Sequence, residues 1–241
     1  MFWGSSRKQL ELRSSVALGM SRGKAIDHLR RSDPVLRRLI DSRPGFDPRA
    51  WMAELPHLDS FGAILFQVAG QQLSLQSTRS IIRKVMVLFG GRLPSPDEFL
   101  STAPKSILGA GFSRRKVTTL REVASQFSQS RLNERMLRSL SDEEVEARLT
   151  SIPGIGPWTV QGFLIIALDR PDVILPGDLA LRKVIGRVYD LPRLPSQAEV
   201  LRIAEPWRPY RSLATSYLFQ EAFDPSSHHR RVKSQRRARR S

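Results

Sequence analysis

Leu149-Thr150-Ser151-Ile152-Pro153-Gly154-Ile155-Gly156-Pro157-Trp158 is the stretch that decides the fold. Upstream, Ser141-Asp142-Glu143-Glu144 has the capping-box pattern and predicts a helix from there to about Thr150. Downstream, Trp158 to Leu168 is almost wholly apolar and predicts a second, buried helix. Two glycines one residue apart join them, permitting a tight turn with positive φ angles and close approach of another backbone. Such a turn exposes N–H groups at the start of the second helix, where the dipole favours an anion. A phosphate held there would position a nucleic acid without reading its sequence. The same residues also suit an ordinary turn between helices with glycine as C-cap, and that alternative stands. A nucleotide-binding glycine loop is excluded, because no strand precedes the turn and no third glycine follows at the required place.

The grammar of helix starts continues in both directions. Asp33-Pro34 opens a helix to about Arg43, and Asp47-Pro48 and Ser95-Pro96-Asp97 repeat the pattern. Phe61 to Ala69 is nearly all apolar, and the helix beginning near Ser74 ends at Gly90-Gly91. Between Ser113 and Phe127, a stripe of Val117, Leu120, Val123, Ala124 and Phe127 marks another helix. Further helices are expected over about 179–189, 197–205 and 209–223. No convincing strand pattern emerges, so the expected fold is all-α, with about ten to twelve helices and short connections.

Composition narrows the functional classes. Of 241 residues, none is cysteine, which excludes disulfides, thiolate zinc sites, cysteine-held iron–sulfur clusters and cysteine nucleophiles. His28, His57, His228 and His229 are scattered, and no histidine metal site is visible. No run is apolar enough to span a bilayer and no secretory signal is recognisable, so a cytoplasmic location without membrane contact is expected. The formal charge of +16 is uneven: residues 226–241 carry +7, residues 1–24 carry +4, and the remainder only +5. Residues 1–20 and 226–241 therefore read as disordered basic arms flanking a core of 21–225, suited to polyanions without sequence preference.

The second informative segment is Asp172-Val173-Ile174-Leu175-Pro176-Gly177-Asp178. Its apolar run enters a Pro-Gly turn that delivers Asp178 to the head of a helix. Asp178 could be simply an N-cap. Within an apolar cleft the same carboxylate would also face a cationic transition state, and the two roles are compatible.

A Pro-Gly-Ile-Gly hairpin, an apolar helix, and Leu-Pro-x-Asp with its aspartate 22 residues past the second glycine resemble the helix-hairpin-helix (HhH-GPD) DNA glycosylase superfamily. Within it, the chain is similar to the bacterial 3-methyladenine DNA glycosylase II group over roughly residues 24–223. Supporting stretches are Ala25-Ile26-Asp27-His28-Leu29 with Asp33-Pro34, Gly70-Gln71-Gln72-Leu73-Ser74, Gly111-Phe112-Ser113-Arg114-Arg115-Lys116 and Trp207-Arg208-Pro209-Tyr210. The resemblance implies a two-lobed helical fold with the active-site cleft between lobes. Longer members carry a β-domain before the helices, and here that domain is expected to be missing. Bifunctional glycosylase/lyases place a lysine two residues after the second glycine. Trp158 stands there instead, which implies base excision without strand cleavage.

The resemblance also assigns roles. Asp178 becomes the essential carboxylate. Ile152, Gly154 and Gly156 hold a DNA phosphate. Gln72, with Gln71 and Leu73 beside it, fills the gap left by the flipped nucleotide, although these glutamines could instead finish a helix and bond its carbonyls. Trp158, Phe219 and Tyr210, with Tyr217 as an alternative, line the base pocket, against the plainer reading that they are core aromatics. Expected partners are double-stranded DNA containing alkylated purines, a monomeric state, and no metal or organic cofactor. A non-catalytic hairpin module and a monofunctional glycosylase for another damaged base remain the alternatives.

Overall fold

The computed structural model describes residues 22–47, 50, 56 and 58–223. The two basic arms and the helix expected after Asp47-Pro48 lie outside the described residues. Among those described, every regular element is helical. The α-helices are α1 (22–32), α2 (Pro34–Asp41), α3 (Ser60–Gly70), α4 (Leu75–Leu88), α5 (Pro96–Ser101), α6 (Pro104–Gly109), α7 (Arg114–Ser128), α8 (Glu134–Ser139), α9 (Asp142–Thr150), α10 (Pro157–Ile166), α11 (Leu179–Val188), α12 (Gln197–Ala204) and α13 (Arg211–Phe223). A 3-10 turn, Glu205–Trp207, separates the last two. No helix among these residues is long and apolar enough to cross a membrane.

The starts fall where local chemistry places them. Ser141 Oγ accepts from the Glu144 N–H at 3.2 Å, and the Ser141 N–H donates to Glu144 Oε2 at 2.7 Å. Ser95 with Glu98 and Ser196 with Glu199 build the same reciprocal cap. Asp33, Ser74 and Ser113 cap α2, α4 and α7 with a side-chain oxygen. Each of these satisfies N–H groups that the first helical turn leaves orphaned.

The described residues fall into two compact units, those up to 47 together with those from 176 on, and those between 50 and 175. In the 49–175 unit α3 is central, packing on α4, α7 and α10, and its residues Ser60–Ala69 are all buried. The low amphipathicity of Phe61–Ala69 follows from this: a helix covered on every side needs no polar face. Phe61 meets Phe99 and Phe127 edge to face, with centroids 5.8 and 6.0 Å away. Val117, Leu120, Val123 and Ala124 of α7 are buried as their spacing foretold, with Phe127 partly so.

In the other unit, α13 packs on α2 and α11. Asp33 is its polar centre. Besides capping α2 through Oδ1, with Val35 N at 2.7 Å and Leu36 N at 3.0 Å, it accepts at Oδ2 from the Tyr189 hydroxyl (2.6 Å) and Trp207 Nε1 (2.9 Å). Trp207 is wholly buried and Asp33 is 6% exposed. Burial, reinforced by the neighbouring Asp33 carboxylate, pushes the Tyr189 hydroxyl well above its ordinary pKa. Glu221 of α13 pairs with Arg43 and accepts from Arg187 of α11 through its backbone oxygen at 2.7 Å.

Candidate active site and hairpin

The hairpin is built and braced within residues 49–175. Gly154 has φ +95°, in the left-handed region that glycine alone enters without penalty. It also lies so close to α7 that a Cβ would stand 2.1 Å from Thr119 Oγ1. Thr119 is buried, and its hydroxyl donates to Pro153 O at 2.9 Å. From the other side, Gln71 Nε2 donates to Gly154 O at 3.0 Å and to Thr159 Oγ1 at 2.9 Å. The turn is thus clamped between α7 and the end of α3.

Gly156 departs from expectation. It is the N-cap of α10 with φ −116° and ψ 173°, extended backbone open to any residue, and nothing lies within 4 Å of where its Cβ would be. Its smallness leaves the head of α10 uncovered rather than permitting the turn. Ile152 is also corrected as a phosphate donor. Its N–H is spent on Leu149 O at 3.1 Å, its carbonyl accepts from the Ile155 N–H at 3.0 Å, and its side chain is buried. Ile152 anchors the turn, while the Gly154 and Gly156 N–H groups donate to no described acceptor and remain available to an anion.

These geometries predict opposite behaviour for the two glycines. Gly154→Ala must adopt a positive φ and collide with Thr119, an expected loss of about 2–4 kcal/mol. Gly156→Ala changes only the cap residue and is expected to cost about 1 kcal/mol or less. Thermal unfolding of the pair checks this, and equal losses would contradict the geometry.

The three residues proposed to approach DNA separate. Gln71 is half-buried and tied to the hairpin as described, which withdraws it from insertion. Gln72 is exposed with φ +59°, unusual for a residue with a side chain, and Leu73 beside it is 44% exposed. The glutamines do not bond the terminal carbonyls of α3. Lys116 does so instead, its Nζ donating to Ala69 O and Gln71 O, each at 2.9 Å. Burial pushes this ammonium below the ordinary lysine pKa. Beyond the turn, Ser74 caps α4 and accepts through its carbonyl from Thr78 Oγ1 at 2.9 Å. Gln72 is therefore displayed from a short loop fixed at both ends. Thr119 and Lys116 escaped the sequence reading because each acts on carbonyls 34 to 47 residues away.

Trp158 occupies the first turn of α10 and is half-buried. The remaining predicted residues belong to the other unit. Asp178 is the N-cap of α11, as the plain reading required, with Oδ1 accepting from Leu181 N at 2.8 Å, and it is half-buried. Tyr210 is half-buried, with its ring edge-on to His28 at 5.4 Å. Phe219 is half-buried on α13 and stacks on Phe223 at 5.9 Å. Tyr217, by contrast, is 2% exposed against Phe46 at 4.7 Å, so it is a core residue and not a pocket residue.

Comparison with known proteins agrees with this architecture. The family model described as HhH-GPD superfamily base excision DNA repair protein matches residues 66–209, from the middle of α3 through the hairpin and Asp178. The chain is 29% identical over 213 residues to DNA-3-methyladenine glycosylase 1 of Schizosaccharomyces pombe, covering 88% of this chain and 92% of that one. It is 26% identical over 203 residues to DNA-3-methyladenine glycosylase 2 of Escherichia coli, covering 79% and 66%. A solved structure of the S. pombe 3-methyladenine DNA glycosylase in complex with abasic DNA superposes with a TM-score of 0.76 at 30% identity, over 84% of this chain and 98% of that one. A chain whose described elements are all helical, and whose hairpin and capping aspartate fall inside the matched segment, thus belongs to the HhH-GPD superfamily of base excision DNA repair proteins.

Proposed function

We propose that this protein is a monofunctional DNA glycosylase that flips alkylated purines of the 3-methyladenine and 7-methylguanine type out of duplex DNA and hydrolyses their N-glycosidic bond. The observation that carries this reading is Asp178, a half-buried carboxylate fixed at the head of α11 directly after Pro176-Gly177. The names of the similar proteins support the substrate class.

In this reading the Gly154 and Gly156 N–H groups, at the positive end of α10, hold a backbone phosphate. The lysines and arginines of residues 1–20 and 226–241 add attraction that is independent of sequence and weakens with salt. Gln72 enters the stack as the target base leaves, a step that costs a few kcal/mol and less for a damaged pair. Trp158, Tyr210 and Phe219 offer aromatic faces, worth roughly 0.5–2 kcal/mol to a cationic base. A purine alkylated at N3 or N7 carries a positive charge and departs without full protonation. Positive charge then develops on the sugar, and the Asp178 carboxylate stabilises it in place and orients the attacking water. Trp158 has no amine with which to form an imine, so the abasic product keeps an intact strand.

The test is incubation with duplexes that each carry one defined lesion, scoring free base and abasic sites. The expected result is release of 7-methylguanine, with strand breaks only after alkali. Binding without base release would mark a non-catalytic module, and breaks before alkali would overturn the monofunctional assignment.

A further inference from the structure

Two glutamines four residues apart, Gln67 in α3 and Gln71 at its C-cap, face α10 and are treated differently. Gln71 spends both amide hydrogens on Gly154 O and Thr159 Oγ1. Gln67 is 6% exposed, yet its carboxamide meets no hydrogen-bond partner among the described residues. It lies over Gly162, where a Cβ would come within 2.5 Å of its Cδ and Oε1 and 2.7 Å of its Nε2. Gly162 therefore vacates the space that this amide fills. Trp158 precedes Gly162 by four residues, on the same side of α10.

Polar side chains this deeply covered are almost always paired within the protein, and this one is not. An apolar residue at 67 with a side chain at 162 would pack the same contact without any polar group. The amide is also not sealed from solvent, so a ligand can complete it. We infer that Gln67 is a specificity-determining residue whose carboxamide pairs with the position-1 and position-6 edge of the extruded purine. This inference rests on the glycosylase reading above.

The chemistry matches. A carboxamide presents one acceptor and one donor side by side. Guanine offers O6 as acceptor and N1–H as donor, adenine N1 as acceptor and N6–H as donor, and rotation of the amide serves both. Alkylation at N3 or N7 leaves that edge intact, and the positive charge on the base strengthens the N–H donated to Oε1.

Gln67→Met keeps the length of the side chain and removes the pairing. The expected result is a fall of about 10- to 100-fold in the single-turnover rate on a duplex carrying 7-methylguanine, with an unchanged Tm because no hydrogen bond within the protein is lost. A purely structural glutamine would instead lower Tm, and a rate within threefold of wild type would overturn the inference. Gly162→Ala, which expels the carboxamide, should show the same loss of rate. Equilibrium binding of free 7-methylguanine separates this idea from its parent. If the wild type fails to cleave yet binds the base at least tenfold more tightly than Gln67→Met, edge recognition stands and the hydrolase reading falls. If the wild type neither cleaves nor binds the base, both fall.

Discussion

Asp178→Asn is expected to fold, bind DNA and release almost no base. Asparagine caps helices as well as aspartate, so Leu181 N keeps an acceptor at the head of α11. The change in stability should stay within about 0.5 kcal/mol. What disappears is the negative charge. If that charge stabilises an oxocarbenium-like sugar, the single-turnover rate on 7-methylguanine duplex should fall about 10²–10³-fold or more, as for loss of other preorganised electrostatic groups. Affinity for a duplex carrying an abasic analogue should change far less. Excision within tenfold of wild type, at matched Tm, would reduce Asp178 to an N-cap and remove the support for the catalytic assignment.

The largest effect on stability is expected at Asp33. Its carboxylate accepts four hydrogen bonds in a buried setting: two from the first turn of α2, one from Tyr189 and one from Trp207. Asp33→Ala removes the cap and strands the Trp207 N–H and the Tyr189 hydroxyl, each worth roughly 1–3 kcal/mol when left unsatisfied. A total of about 3–5 kcal/mol is expected, or on the order of 10 °C in Tm for a chain of this size. Asp33→Asn should recover little, because an amide that keeps its oxygen on the cap turns its NH₂ towards the Trp207 N–H. Tyr189→Phe breaks one bond and should cost about 1 kcal/mol. Chemical denaturation of the three variants measures the order, and an Asp33→Asn protein as stable as wild type would show that the charge and the second oxygen are dispensable.

The helices that could be read from the sequence are those whose start is encoded within three or four residues. Asp33-Pro34, Ser74, Ser113 and Ser141 with Glu144 all cap the helices expected of them, and the near-continuous apolar runs at Phe61–Ala69 and Trp158–Leu168 became α3 and α10. The short helices Pro104–Gly109 and Glu134–Ser139 escaped, because six residues complete fewer than two turns and show no period. Among the candidate site residues, Asp178 and the hairpin were marked by their spacing. Gln67, Lys116 and Thr119 were not, since a glutamine in an apolar helix or a lysine in a basic one has no local mark of its role.

The sequence alone determined the all-helical class, the hairpin, the aspartate that follows it and the absence of cysteine chemistry. These depend on local capping, hydrophobic period and composition, which act over a few residues. Only the tertiary structure decided which glycine carries the positive φ against Thr119, which glutamine is tied to the hairpin and which meets no partner, and how Asp33 joins Tyr189 and Trp207 from 156 and 174 residues away. Those outcomes turn on the approach of side chains from distant helices, and the identity of a residue does not reveal which atoms the fold will bring against it.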